Sequence, residues 1–295
     1  PNVHYDPLDV TPLCEALTRA GAEVLDTDID YDRVVQVDDP RLASLAARIR
    51  EAIDVDVLHI DHRKLVIVDG SVAYVGGANI GAQYLFHEPF DAELDAQVEG
   101  EQRKVAGETE PWWKWHDSLT RFEGPIVSEI DQEFHGRWLL DGGQPFALEP
   151  AVERGSGEAT DDAVRGDELD HAQVYTNAPD ARPNAIRELY LRLIAAAERS
   201  IFLENPYLYH PAIVDALCLA RAKRSHLSVV LVLPSERHND NSFAQDAQQH
   251  NYARLLAAGV EVYEYLNHFN HLKLAVFDKR YSIHGSTNRN YRSLE

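Results

Sequence analysis

The chain has 295 residues, a formal net charge of −21, 44% hydrophobic residues, two cysteines and no methionine. That apolar share can fill a substantial core, which excludes a disordered chain, and Cys14 and Cys218 cannot staple a disulfide-rich scaffold. The acidic excess repels nucleic acid and anionic lipid at low salt, which makes nucleic acid an unlikely partner. It suits a salt-loving source or reflects GC-rich coding, with Arg favoured over Lys, and composition leaves both readings open. There is no apolar run of about 18 residues, and Pro1-Asn2-Val3-His4 resembles no signal peptide. Without an initiator methionine the chain reads as a fragment. The expected location is the cytoplasm or the surface of the cytoplasmic membrane, with an anchor before Pro1 left open.

In chain order, Pro12–Ala20 reads as a helix stopped by Gly21, followed by a short strand over 23–25. An acidic stretch covers 26–39, and a helix is expected over 42–52. Residues 55–69 and 71–75 form two β-rich runs around Asp69-Gly70, a hairpin-type turn signal. A helix follows over 127–140. Residues 149–170 are acidic, Gly-punctuated and poor in aromatics, the composition of a linker or mobile loop. Beyond it come strands over 173–175, 200–204 and 227–233, and helices over 185–198 and 211–223. The continuous apolar run Leu227–Leu233 is typical of a strand covered on both faces. One helix over 243–258 ends at Gly259, a strand covers 260–265, and a second hairpin joins 272–278 to 281–283. This alternation predicts an α/β protein with a largely parallel sheet.

Onto this pattern falls a repeat, His-x-Lys-(x)4-Asp-(x)6-Gly-(Gly or Ser)-x-Asn. The first copy is His62, Lys64, Asp69, Gly76, Gly77 and Asn79. The second is His271, Lys273, Asp278, Gly285, Ser286 and Asn288, each 209 residues after its counterpart (62 to 271, 79 to 288). In a strand, residues two apart share a face, so each His projects with its Lys. An ammonium on an otherwise apolar strand needs an anionic partner. Gly77 and Ser286 are small enough to let a ligand or another backbone approach closely, and Asn79 and Asn288 supply donors beside them. Two imidazoles, two ammonium groups and two amides around one point suit an oxyanion such as phosphate.

These paired motifs resemble those of the phospholipase D superfamily. HRKLVIVDGSVAYVGGANIG (62–81) and HLKLAVFDKRYSIHGSTNRNYRS (271–293) are similar to the two motif regions of cardiolipin synthases and related phosphatidyltransferases. WHDSLTRFEGPIVSEIDQEF (115–134) and ENPYLYHPAIVDAL (204–217) extend the likeness over nearly the whole chain.

The resemblance implies two pseudo-symmetric α/β/α sandwich halves with the active site at their interface. These would be residues 1–148 and 172–295, joined by an acidic linker over 149–171. It also implies covalent catalysis by a phosphohistidine on a phospholipid or other phosphodiester, with an alcohol or water as acceptor and no metal or other cofactor. His62 would be the nucleophile and His271 the acid/base, with the swap left open by the symmetry. Lys64, Lys273, Asn79 and Asn288 would cradle the phosphoryl oxygens, and Asp69 and Asp278 would be mainly structural. Asp117 is the expected orienting carboxylate for His62, while the partner of His271 is expected beyond Glu295. The rivals are a nuclease or non-lipid phosphodiesterase of the same superfamily, and a phosphate-binding scaffold without activity. Trp112, Trp113 and Trp115 read first as packing residues, with a substrate wall or membrane-interface patch as the alternative. His268 and His284, which bracket the second motif, read as bystanders.

Overall fold

The computed structural model describes residues 11–25, 62–79, 84, 115–147, 171–177, 184–239 and 241–294. The expectations for 26–39, 42–52, 55–61 and 149–170, and those for Trp112 and Trp113, lie outside these residues. Contacts divide the chain into two compact units, one of residues 1–62 and 130–149, the other of 63–129 and 150–295.

In the first unit, helix α1 (Thr11–Arg19) ends at Gly21, whose φ of 91° only glycine adopts without strain. The strand expected over 23–25 is irregular chain. Three residues between a helix stop and an acidic run have no neighbouring strand, among the described residues, to complete a ladder. The later part of helix α2 (Ile126–Leu140) carries Phe134 and Trp138, which form an aromatic cluster with Phe146. Gly143 is obligatory there, because a Cβ would run into the Trp138 indole.

The second unit holds the motif hairpins. Strands β1 (Lys64–Val68), β2 (Val72–Gly76) and β4 (Leu119–Glu123) make an antiparallel sheet in the order β1-β2-β4. The two-residue strand β3 (Trp115–His116) lies just before β4. Five strands make the larger sheet: β5 (Ser200–Glu204), β6 (Ser228–Pro234), β7 (Glu261–Tyr265), β9 (Leu274–Phe277) and β10 (Tyr281–His284), in the order β10-β9-β5-β6-β7. Only β5-β6 and β6-β7 are parallel, so the sheet is mixed rather than largely parallel. The cause is the second motif, whose hairpin adds two antiparallel strands to one edge.

Helices α3 (Ala185–Ala196) and α4 (Pro211–Lys223) bury stripes at helical spacing, Ile186, Tyr190 and Ile194 on one and Ile213, Val214, Leu217 and Ala220 on the other. Both stripes join the buried residues of β5, β6 and β9 in one core. On β6, Val229, Leu231 and Leu233 are fully buried while Val230 and Val232 are half-buried. That alternation corrects the expectation of a strand sealed on both faces. Each fully buried aliphatic side chain contributes about 1.5–3 kcal/mol.

Two further sequence expectations fail in this half. Residues 173–175 are irregular. The single helix over 243–258 is two, α5 (Ser242–Gln249) and α6 (Tyr252–Ala257), with a turn at His250-Asn251. Asn251 bonds back to the Ala247 carbonyl at 2.9 Å and competes with the helix ladder at that point.

Candidate active site

The site is assembled by a short parallel pairing between two distant segments. Strand β8 (Phe269–Asn270) aligns Phe269 with Trp115 and Asn270 with His116 on β3. The His271 N–H continues the ladder by donating to the His116 carbonyl at 2.8 Å. One residue further along each strand, that register sets Asp117 opposite His271.

The contact it creates is short and dry. His271 Nδ1 lies 2.7 Å from Asp117 Oδ2, with side chains only 6% and 1% exposed. Lys273 is equally buried, its Nζ donating to the His271 carbonyl at 2.5 Å and standing 3.9 Å from Asp117 Oδ2. It also approaches His271 Nδ1 to 3.0 Å. An ammonium cannot accept a proton, and a carboxylate can only accept, so the proton on Nδ1 points to Asp117 and the Nε2 lone pair is left open. Burial, then the charges of Lys273 and Lys64, hold the His271 imidazole well below its ordinary pKa. Burial also pushes Asp117 up to about 6, against the pull of Lys273, the Ser118 N–H, His284 and His116. At neutral pH the pair is therefore a neutral imidazole on a carboxylate, beside a cation.

An aromatic cage keeps water from this pair. Trp115 packs on the His271 ring at 4.8 Å, with Phe269 at 5.7 Å and Tyr84 at 6.0 Å. Trp115 is thus a wall of the site. The Tyr84 hydroxyl accepts from Asn79 Nδ2 at 3.0 Å and lies 3.4 Å from His271 Nδ1, which ties the first-motif Asn to the second-motif His. Asn288 is buried, and its Oδ1 has no hydrogen-bond partner among the described residues. Behind the site, Glu204 is buried at the end of β5, 3.5 Å from His116 Nε2, and Tyr265 stacks on the same imidazole.

The small residues of the first motif admit the arm that carries Asp117. A Cβ on Gly76 would strike the Ser118 carbonyl, and one on Gly77 would stand 2.5 and 2.6 Å from the Asp117 carboxylate oxygens. Gly77 N–H donates to the Ser118 carbonyl at 3.3 Å. In the second copy a Cβ on Gly285 would meet nothing within 4 Å among the described residues. Gly285 is the counterpart of Gly76, so the tight approach at the first copy's glycines is not repeated there.

Some predicted residues are placed elsewhere. Lys64 opens β1 while His271 and Lys273 precede β9, so each His stands ahead of its strand rather than within it. His62 belongs to the first unit and is exposed. The pairing of Asp117 with His62 is corrected: its carboxylate is held by His271, the histidine whose partner was expected beyond Glu295. Asp69 and Asp278 sit in the turns at the far ends of the two hairpins, at φ 50° and 55°. Asp278 accepts backbone N–H bonds from Glu198, Arg199 and Ser200 at 2.9, 2.7 and 2.9 Å. Burial raises its carboxyl, but the three donors outweigh that and hold it below the ordinary range. It clamps the hairpin to the start of β5 and does not reach the site. Among the described residues no group of three His, Cys, Asp or Glu side chains could hold a metal ion.

Residues 190–295 match the family model described as cardiolipin synthase, PLD-like domain. Over 235 residues, 79% of the chain, it is 29% identical to cardiolipin synthase 2 of Bacillus cereus and 28% identical to cardiolipin synthase 2 of Staphylococcus epidermidis.

Residues 190–295 are thus similar to a phospholipase D-like domain.

The chain spans 40% and 42% of the length of those two relatives. A phospholipase D family member, Nuc from Salmonella typhimurium, is 25% identical at a TM-score of 0.32, over 39% of this chain and 70% of Nuc. Tyr84, Ser118, Thr120 and His284 are the residues of this site that sequence reasoning did not assign. Of these only His284 carried a signal, its position directly before Gly285.

Proposed function

We propose that this chain transfers a phosphatidyl group between alcohols, or to water, as a cardiolipin synthase-like enzyme with a covalent phosphohistidine. The observation that carries the reading is the buried Asp117–His271–Lys273 cluster, a proton-handling imidazole oriented by a carboxylate and flanked by a cation. Residues 1–148 and 172–295 act as two halves that each contribute one His-Lys pair. In the first step a neutral His62 nitrogen attacks phosphorus, the bond to the leaving oxygen breaks, and His271 Nε2 gives that oxygen its proton. The acceptor hydroxyl then returns a proton to His271 as its oxygen attacks phosphorus and the phosphorus–nitrogen bond breaks. Lys64, Lys273, Asn79, Asn288, Gly77 and Ser286 surround the phosphoryl oxygens, where fixed donors stabilise the charge that develops. Asp69 and Asp278 hold the hairpins.

For the first step His271 must carry a proton on Nε2, and the entering phosphodiester anion raises its proton affinity. One observation favours the reverse assignment. Burial and two lysine charges keep His271 neutral before substrate arrives, which is the state a nucleophile needs.

The substrate reading rests on the cardiolipin synthase likeness and on the net charge of −21, which disfavours a nucleic-acid backbone. Among the described residues no helix is long and apolar enough to cross a membrane. We propose contact with a lipid surface from one side. The test is product analysis with phosphatidylglycerol, with and without a second alcohol, beside single-stranded DNA. Transfer to the alcohol is expected, with DNA left intact. Cleavage of DNA without turnover of lipid would overturn the reading.

A further inference from the structure

The two motif copies differ at the position just before the glycines. The first copy has Val75 there and the second has His284. An imidazole is therefore no requirement of the duplicated hairpin. His284 ends β10 half-buried, and both of its ring nitrogens are engaged by the arm that carries Asp117. Its Nε2 lies 2.7 Å from Ser118 Oγ, and its Nδ1 is hydrogen-bonded to Thr120 Oγ1.

Ser118 is held at every polar atom. Its N–H donates to Asp117 Oδ1 at 2.8 Å, its carbonyl accepts from the Gly77 N–H, and its hydroxyl meets His284. Thr120 is also the β4 partner of Val75, so the pre-glycine positions of both copies converge on one residue. Asp117 reaches His271 on an arm anchored on one side by Gly77 and on the other by His284.

We propose that His284 is a positioning residue, a latch from the second motif that holds the Ser118–Thr120 segment so that Asp117 stays hydrogen-bonded to His271. This rests on the reading of His271 as the acid/base but is a claim about geometry that can be measured without turnover. The latch joins the smaller sheet to the larger one through a side chain. A backbone ladder alone, the two-residue pairing of β3 with β8, is short for the task. Loss of the latch frees Asp117 to shift, and a displacement of about 1 Å in an orienting group costs on the order of 100-fold in rate. Substrate binding, made by other side chains, is left in place.

The test is histidine-selective nitrogen-15 NMR of the full chain together with steady-state kinetics on bis(p-nitrophenyl) phosphate. Wild type should show a far-downfield Nδ1 proton, assigned to His271 by its loss in His271→Gln and in Asp117→Asn. His284→Ala should lose that signal and lower kcat by roughly 10- to 100-fold with KM little changed. His284→Gln, which can still bond Ser118, should restore the signal and most of the rate. Ser118→Ala, a small change that leaves His284 in place, should weaken the signal as well. A downfield proton unchanged in His284→Ala and Ser118→Ala overturns the latch. A signal that responds as predicted in a chain that turns over no phosphodiester overturns the enzymatic reading and leaves the latch standing.

Discussion

Asp117 is the residue on which the site's proton chemistry turns. Its carboxyl titrates near 6 because burial opposes the charge that Lys273 favours. A raised pKa means that the carboxylate is complete above that value and takes up a proton as pH falls through it. The His271 Nδ1 proton then loses its acceptor, so kcat should fall below pH 6 and level off above it. Asp117→Asn should remove that acid limb and lower kcat by roughly 10²–10⁴-fold, as read from a pH profile between 5 and 8. An acid limb that survives the substitution belongs to another group. The residues of this site were legible in the sequence to different degrees. The His-Lys pairs stand out because an ion in an apolar strand demands an explanation. The pairing of Asp117 did not, because spacing says nothing about which of two equivalent histidines a distant carboxylate meets. That choice is made by the register of β3 on β8, a tertiary fact with two residues of ladder to announce it.

At the scale of elements, the first motif's hairpin does more than display a histidine and a lysine. The turn at Gly76-Gly77 is a slot into which the 117–118 arm fits, and the slot has no room for a methyl group. Gly77→Ala should push the Asp117 carboxylate off His271 and cut kcat by on the order of 10²-fold, with a far smaller loss for Gly285→Ala, whose site is open. Parallel rates in the two variants would show that the slot has no such role. The long elements, α3, β5, α4 and β6, were readable from periodicity because each carries several buried turns or a full alternation. The short ones were not. Residues 23–25 and 173–175 have strand-like composition but no ladder partner among the described residues, and the break at His250-Asn251 follows from an Asn side chain bonding back to the chain. The first motif hairpin was found by its turn, Asp69-Gly70, and the second by its two strand runs; the turn residues Asp69, Gly70, Asp278 and Lys279 all sit at positive φ.

Over the whole molecule, the α/β class and the duplicated motif were visible in the sequence, while the mixed sheet was not. A parallel order is the natural expectation from alternating strands and helices, and only the hairpin of the second motif, joining at β5, turns half the pairings antiparallel. That arrangement matters for function, because it brings β9 and β10 to the side of the sheet where the arm carrying Asp117 arrives, and His284 to meet it. The second unit thus holds the Asp117–His271–Lys273 cluster together with both motif hairpins, while His62 belongs to the first unit. The central claim is that the two histidines divide covalent and proton-transfer work. It is tested most directly by rapid acid-free quenching of the wild type and of His271→Gln with bis(p-nitrophenyl) phosphate, whose leaving group needs no proton donor, followed by peptide mass mapping. The phosphoryl adduct should lie on His62 and accumulate in His271→Gln, where its release lacks a base; an adduct on His271 in the wild type, or none on either histidine, would contradict it.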